Sequence, residues 1–235
     1  MLKGINAIIW KEFRSIKNKY KGLMFSLSIS SLMFFTVTLI RIFTLKNSLR
    51  SDIFASQQIS IYVSGLISYM ALIYTLRFWE EKSTRTIDSL FATPLSVRQI
   101  MVGKVLASVA FSIGVSLTSL LLFSLFFALF SSTNILSIQT ILITISIPIL
   151  FNIPYGIVNG YTMWCLKTGM AKIVQLISFG IFFGSFASIW SGINATGISS
   201  TLVYSFMTGA IFLWILSIYC LIFANKEKTL LNMPE

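Results

Sequence analysis

Apolar stretches long enough to cross a lipid bilayer recur along the whole chain. The hydrocarbon core of a bilayer is about 30 Å thick, and roughly 20 helical residues cross it. Backbone polar groups find no water there, so such stretches become membrane helices. The stretches predicted to span the bilayer are residues 23–45, 57–78, 100–130, 137–166, 173–192 and 199–224. The sequence therefore predicts an all-α, polytopic membrane protein with six transmembrane helices in a single domain, residues 1–235.

The composition and the span lengths refine this prediction. Of 235 residues, 56% are hydrophobic and 11% are charged, which excludes an ordinary soluble domain. The third and fourth stretches exceed the minimum length, so tilt or kinks are expected in them. Pro148 and Pro154 predict a kink in the fourth, because proline removes a backbone donor and clashes with the preceding turn.

The basic residues predict how the spans are oriented. The chain has 18 Lys and Arg against 7 Asp and Glu, a formal net charge of +11. With the amino terminus inside, 15 basic residues fall on the cytoplasmic side and Arg41, Lys46 and Arg50 outside. Cytoplasmic loops carry the excess of Lys and Arg, so both termini are predicted to be cytoplasmic in a multi-pass protein of the cell (plasma) membrane. Charge spread in this way leaves no separate patch for nucleic acid.

The first 21 residues have the pattern of an amphipathic helix lying in the membrane interface. Apolar side chains recur at steps of three or four, as one helix face requires: Leu2, Ile5, Ile9, Phe13, Ile16 and Tyr20. Lysines and arginines on other faces would meet lipid headgroups, and Trp10 suits the aromatic belt. The alternative is a cytoplasmic extension of the first span. Gly22, at the junction, favours a bend between the two helices over one continuous helix.

The loop between the second and third spans contains a short predicted helix. Ile87, Leu90 and Phe91 lie at i, i+3 and i+4, which gives a helix starting near Thr84 one apolar edge. Pro94 is predicted to end it. Such a helix suits docking in a groove of a cytoplasmic partner, and an ordinary solvated loop is the alternative.

The same loop carries charges and a helix-start signal. Three acidic residues lie near three basic ones: Glu80, Glu81 and Asp88 beside Arg77, Lys82 and Arg85. This clustering predicts an ion-pair network. Ser96 followed by Gln99 has the form of a capping box, so a new helix is predicted to begin there and lead into the third span.

Motifs in this region resemble those of type-2 ATP-binding cassette (ABC) exporter permeases. In chain order they are Glu80-Glu81, Thr86-Ile87-Asp88, Leu90-Phe91, Thr93-Pro94-Leu95-Ser96 and Gly103-Lys104. The Trp10-Lys11-Glu12-Phe13 stretch is similar to the basic amphipathic helix that opens the same family. The motif-level likeness covers about the first 104 residues, and the topology extends it to the whole chain. Arg85 departs from the usual glycine.

The resemblance implies which residues meet the rest of a transporter. Residues 85–95, within a coupling segment of residues 80–96, would form the helix that receives motion from a separate ATPase subunit. The implied coupling residues are Glu80, Glu81, Arg85, Thr86, Ile87, Asp88, Leu90, Phe91, Thr93 and Pro94, and those of the interfacial helix are Ile5, Ile9, Trp10, Phe13 and Ile16. ATP and Mg would bind the partner ATPase, with no cofactor on this chain. Two copies, or this chain and a related permease, would pair.

The chain lacks the residues of most alternative chemistries. It has no His, which removes Ser-His proteases and most transition-metal sites. Asp and Glu are absent from the apolar centres of the predicted spans, so ion-coupled transport is disfavoured. Gly103-Lys104 lacks the Ser or Thr and the first Gly of a phosphate-binding loop. The chain is therefore predicted to be a transporter subunit rather than an enzyme, with no catalytic or metal site.

Polar and aromatic side chains in the spans are candidates for a substrate path. They are Tyr62, Ser68, Tyr69, Asn152, Asn159, Phe179, Phe182, Phe183 and Phe186. Helix packing or lipid contact is the alternative for each of them. Two glycine pairs four residues apart predict close helix packing or a dimer contact: Gly156 with Gly160, and Gly180 with Gly184. The exported solute would be a small amphipathic molecule, a hydrophobic peptide, a drug or a lipid, and a stand-alone channel or scaffold is the alternative function.

A cysteine at position 48 tests the predicted orientation. We expect Ser48→Cys to react with a membrane-impermeant thiol reagent added to intact cells, because residue 48 lies in a predicted outer connection. Labelling is measured before and after the membrane is permeabilised. Labelling from the cytoplasmic side alone would contradict the predicted topology.

Overall fold

The computed structural model describes residues 2–18, 36, 51–130, 136–194, 197–198 and 200–231. The predicted first span, residues 23–45, lies outside the described residues except for Thr36. Helices form almost all of the described chain, and the core lies between them.

The described residues contain helices throughout. These helices are α1 (Leu2–Asn18), α2 (Ser51–Tyr62), α3 (Ser68–Thr75), α4 (Phe78–Ser83), α5 (Thr86–Phe91), α6 (Val97–Phe130), α7 (Ile138–Ile147), α8 (Ile153–Cys165), α9 (Thr168–Gly192), α10 (Ser200–Phe223) and α11 (Lys226–Leu231). π-helical turns join α2 to α3 (Val63–Ile67) and α7 to α8 (Pro148–Asn152). Two short antiparallel strands, β1 (Ile193–Asn194) and β2 (Gly197–Ile198), connect α9 to α10, with Ile193 opposite Ile198.

Within the described residues, four helical segments are long and apolar enough to cross a membrane: Ile59–Ser83, Val97–Leu129, Ile138–Cys165 and Val203–Phe223. Helix α9 contributes a shorter apolar segment, Gly169–Phe182. These helices fit a membrane protein, and the prediction of an all-α chain with several apolar spans is confirmed at that level. The count of six spans stays a prediction, since it includes residues 23–45.

The predicted kink in the fourth stretch takes the form of the π-helical turn that starts at Pro148. Proline cannot donate the backbone hydrogen bond of a regular turn, so the helix widens there. A side-chain hydrogen bond joins this turn to the start of α3. Asn152 Nδ2 donates to Ser68 Oγ at 3.0 Å, and Ser68 Oγ donates in turn to the backbone carbonyl of Ser64 in the other π-helical turn. Buried polar side chains therefore connect the two irregular parts of the helices inside the core.

Helix α8 packs closely on its neighbours through two glycines. A Cβ on Gly156 would lie 2.9 Å from Val105 Cγ1, and one on Gly160 would lie 2.8 Å from Phe78 Cζ. A Cβ on Gly180 or on Gly184 would meet nothing within 4 Å. Within the chain, the first glycine pair therefore provides close packing, and the second lies on the outside of α9.

An alanine scan of glycines tests this packing. We expect Gly160→Ala to lower the free energy of unfolding by about 1 to 3 kcal/mol, because the buried Phe78 ring blocks the added methyl group. The control is Gly114→Ala in α6, which meets open space and should be neutral or stabilising by up to about 1 kcal/mol. Thermal unfolding of the purified protein in detergent measures both, and equal midpoints would contradict the packing.

Candidate functional site

One buried lysine joins three helices at the end of the molecule where α1, α4, α5 and the start of α6 meet. Lys104 lies two turns into α6, and its side chain is 3% exposed. Its Nζ lies 2.6 Å from Glu12 Oε1 on α1 and 2.6 Å from Glu81 Oε1 on α4. We call Glu12, Glu81 and Lys104 the buried triad.

The buried triad is stabilised by pairing, since an isolated buried charge would be very unfavourable. Its charges do not cancel, because two carboxylates face one ammonium group. Glu81 Oε2 is buried and has no hydrogen-bond partner among the described residues. The Phe78 ring, with its centre 6.0 Å from Lys104 Nζ, adds a cation–π contact. Loss of the lysine would leave two like charges unpaired in the same place.

The buried triad determines which face of α1 packs on the chain. Ile8, Glu12 and Ile16 are buried, one turn apart along the helix. Close contacts support this face: a Cβ on Gly103 of α6 would lie 3.1 Å from Ile8, and a Cβ on Gly4 would collide with Leu95. The amphipathic helix predicted for the first 21 residues is thus present as α1, with its carboxylate turned inward.

The apolar stripe predicted for α1 is about a quarter turn away from the face that packs. Ile5 and Ile9 are half-buried at the edge of the packed face. Trp10 is 65% exposed and Phe13 is 41% exposed. Ile16 is the predicted stripe residue that is buried. The physical reason is that Glu12 must reach Lys104, which leaves Trp10 and Phe13 on the outside.

A second lysine fastens α4 to the end of α8. Lys82 Nζ donates to the backbone carbonyls of Met163 at 3.0 Å, Trp164 at 3.4 Å and Leu166 at 3.3 Å. These carbonyls lie at a helix C-terminus, where no intrahelical donors remain and a cation is favoured. Trp164 Nε1 donates to the Phe78 carbonyl at 3.0 Å, and the two rings pack edge to face. Helices α4 and α8 are therefore joined at several points.

The short helix predicted in this loop is present as α5, which is shorter than residues 85–95. It begins after Arg85, whose φ of 55° and ψ of 13° are left-handed. Among the described residues other than glycine, this is the only positive φ. The left-handed conformation costs an ordinary residue about 1 to 2 kcal/mol and glycine much less. This explains physically why glycine would suit the turn between α4 and α5.

The apolar edge of α5 faces the chain itself. Ile87 is 0% exposed and Leu90 is 8% exposed, in the same core as Phe78 and Trp164. Phe91 is half-buried, with its ring centre 6.1 Å from that of Trp164. A partner would therefore not meet Ile87 or Leu90. The exposed coupling residues are Glu80, Arg85, Thr86, Asp88 and Pro94.

A third lysine holds the end of α5. Lys226 Nζ, at the start of α11, donates to the backbone carbonyls of Phe91 at 2.9 Å and Thr93 at 3.3 Å. Thr93 Oγ1 donates to the Leu90 carbonyl at 2.6 Å and closes the same turn. Because α11 directly follows α10, this lysine links α5 to the last described apolar segment.

One ion pair of the network predicted for this loop is present, and Lys82 and Glu81 have partners outside the loop. Arg77 Nε lies 3.7 Å from Glu80 Oε2, and Arg77 Nη1 lies 3.4 Å from Ser15 Oγ of α1. Lys82 binds carbonyls rather than carboxylates, and Glu81 pairs with Lys104 instead. The pairing of Lys104 with Glu12 and Glu81 was not predicted from the sequence. The available signal was a charged residue inside a long apolar helix, which is usually paired or functional.

Four of the proposed path residues come together in the core. Asn152 Nδ2, in the second π-helical turn, donates to Ser68 Oγ at the start of α3 at 3.0 Å. Tyr69 Oη and Tyr155 Oη lie 3.1 Å apart, and the Phe182 ring centre lies 4.3 Å from that of Tyr69. Tyr155 was not predicted. In this structure these side chains pack on one another at the contact of α3, α8 and α9.

The other proposed path residues lie apart from that cluster or at its edge. Asn159 Oδ1 accepts from Gln175 Nε2 at 2.8 Å, between α8 and α9. Phe179 is 44% exposed on α9, and Tyr62 is buried at the end of α2. The side chain of Phe183 lies outside the described residues.

No protein-family model, curated protein or solved structure matches this chain. Within the ranges that the structure describes, no three His, Cys, Asp or Glu side chains are grouped to hold a metal ion. The described site consists of contacts that connect helices to one another. Three buried or half-buried lysines join two short helices, α4 and α5, to α1, α6, α8 and α11.

Removing the lysine of the buried triad tests its importance. We expect Lys104→Met to destabilise the protein by about 3 to 5 kcal/mol, because it leaves two buried carboxylates unpaired. The matched control is Lys172→Met on α9, an exposed lysine whose loss should change stability by less than about 0.5 kcal/mol. Denaturant unfolding in detergent measures both.

A further substitution separates charge pairing from packing in the same experiment. Glu81→Gln in the Lys104→Met background should recover part of the lost stability, since it removes one unpaired charge. If the double variant is as unstable as the sum of the two single variants, the pairing does not explain the effect.

Proposed function

We propose that this chain is the membrane-spanning permease subunit of an ATP-driven ABC exporter, with ATP hydrolysed by a separate subunit. The observation that carries the proposal is the attachment of α4 and α5 to the rest of the chain. These short helices connect two apolar segments, and Lys82, Lys104 and Lys226 tie them to four other helices. A displacement of α5 would therefore be transmitted to the apolar helices through these direct contacts.

Each lysine would pass motion of α4 or α5 to a different part of the bundle. Lys82 connects to the end of α8, Lys226 to α11 and so to α10, and Lys104 connects α4 to α1 and α6. A partner that changes shape on binding ATP would favour one arrangement of these helices over another. Differential affinity of the partner for two arrangements would drive the alternation between them.

The partner would meet the exposed side of α5. Ile87 and Leu90 are already buried in the chain, so they support the helix rather than contact the ATPase. Thr86, Asp88 and Ser89 are exposed and present a polar surface. The proposal therefore places the contact on this polar surface, whereas the sequence alone suggested docking through the apolar edge.

The remaining parts of the proposal rest on the sequence pattern. Excess basic residues at one set of membrane ends support cytoplasmic termini and a plasma-membrane location. Two copies, or this chain and a related permease, would pair, and the outward-facing Gly180 and Gly184 suit close approach of another helix. ATP and Mg would bind the ATPase. The transported solute would be a small amphipathic molecule, a hydrophobic peptide, a drug or a lipid.

Charge reversal on α5 tests the proposed contact with the ATPase. We expect Asp88→Lys to weaken binding to the ATPase that co-purifies with the tagged chain by roughly tenfold or more. The matched control is Glu227→Lys, because Asp88 and Glu227 are both exposed acids in the first turn of a six-residue helix. Both substitutions therefore change the helix-dipole interaction alike, and binding is measured by pull-down and by stimulated ATP hydrolysis.

Two outcomes would contradict the proposal. If no ATPase co-purifies with the chain from native membranes, or if the purified chain alone moves solute without nucleotide, a stand-alone channel or scaffold is the better account. If Asp88→Lys and Glu227→Lys bind the ATPase equally well, the exposed side of α5 is not its docking surface.

A further inference from the structure

An open cleft lies where the first turn of α6 passes the end of α10. It has a volume of about 900 Å³ and is lined by residues 94–98 and 222–227. We call it the basic cleft. The apolar segments Val97–Leu129 and Val203–Phe223 both end at it, so the basic cleft lies at the border between membrane-compatible helices and water.

Arg98 offers unused hydrogen-bond donors in the basic cleft. Its Nη2 donates to the backbone carbonyl of Ile222 at 2.8 Å. Among the described residues, this is the one hydrogen bond of the Arg98 side chain. A guanidinium has five N–H groups, so most of them remain for a ligand. Lys226 also lines the cleft, although its ammonium group is largely engaged with α5.

The local charge in the basic cleft favours an anion. Arg98 and Lys226 outweigh Glu227, which leaves a net positive charge on the lining. The first turn of the long helix α6 adds partial positive charge from its free backbone amides. An arginine with free donors binds phosphate in a bidentate geometry that it does not offer to most neutral groups.

Exposed apolar side chains continue from the basic cleft along both helices. On α6, Leu106 and Ala110 are exposed two and three turns after Arg98, on the side of the helix rotated by about 80° to 120° from it. On α10, Ile218 and Tyr219 are more than half exposed, and they lie one turn before Ile222. A ligand that fits both parts is amphipathic, with an anionic group at the cleft and apolar chains along the helices.

We infer that the basic cleft binds an anionic phospholipid, with its phosphate at Arg98 and its acyl chains along α6 and α10. A free phosphate ion would use the cleft but not the apolar surface beyond it. The inference does not depend on an ATPase partner, because it uses only the lining of the cleft and the exposed faces of two helices. Its failure would therefore leave the proposed permease function untouched.

Native mass spectrometry of the full chain with added lipid tests the inference. The probes are phosphatidylglycerol, phosphatidylcholine of the same acyl chains, and inorganic phosphate. We expect Arg98→Gln to weaken phosphatidylglycerol binding roughly five- to tenfold, and Arg98→Lys to restore part of it. The matched control is Lys172→Gln, which removes one exposed positive charge outside the cleft and should change binding less than twofold.

Three outcomes would overturn the inference. One is equal binding of phosphatidylglycerol and phosphatidylcholine by the unmodified chain. Another is equal loss of binding in Arg98→Gln and Lys172→Gln, which would mean that the lipid responds to overall charge. The third is full competition by inorganic phosphate at similar concentration, which would assign the cleft to a free anion. Thermal unfolding of Arg98→Gln in the same detergent checks that the variant is folded.

Discussion

The arrangement of this protein at one end of its helices depends on the burial of Lys104 between two carboxylates. A charged group cannot stay in an apolar interior without partners, so the lysine requires a carboxylate from α1 and another from α4. That requirement fixes the rotation of α1 and brings the short helices against the start of α6. The packing of Ile8 on Gly103 then follows from a contact that is electrostatic in origin.

Helix ends explain the other connections around α4 and α5. The last carbonyls of a helix lack internal donors, and here cations from elsewhere in the chain supply them. Lys82 serves the end of α8, Lys226 the end of α5 and Arg98 the end of α10. Each contact joins two different elements of the chain. A short helix held in this way can transmit displacement, which is the property that a permease driven by another subunit needs.

Local features of the fold could be predicted from the sequence, and distant pairings could not. The capping box was confirmed, since Ser96 N donates to Gln99 Oε1 at 2.9 Å and Gln99 N to Ser96 Oγ at 3.3 Å. Its partners are three residues apart, whereas Lys104 lies 92 residues from Glu12. The inward position of Glu12 was not predicted, because nothing in the local sequence shows that a lysine in another helix pairs with it. The inward direction of Ile87 was missed for the same reason.

The π-helical turn at Val63–Ile67 changes how positions along this segment relate to one another. In a regular α-helix, residues seven apart return to nearly the same side, since each residue turns the helix by about 100°. A widened turn holds one additional residue, which rotates everything beyond it by about 100° relative to a continuous helix. Tyr62 and Tyr69 lie on opposite sides of that turn and are seven apart, so they point in different directions. A solute in contact with one of these tyrosines would therefore not meet the other on the same side of the helical segment.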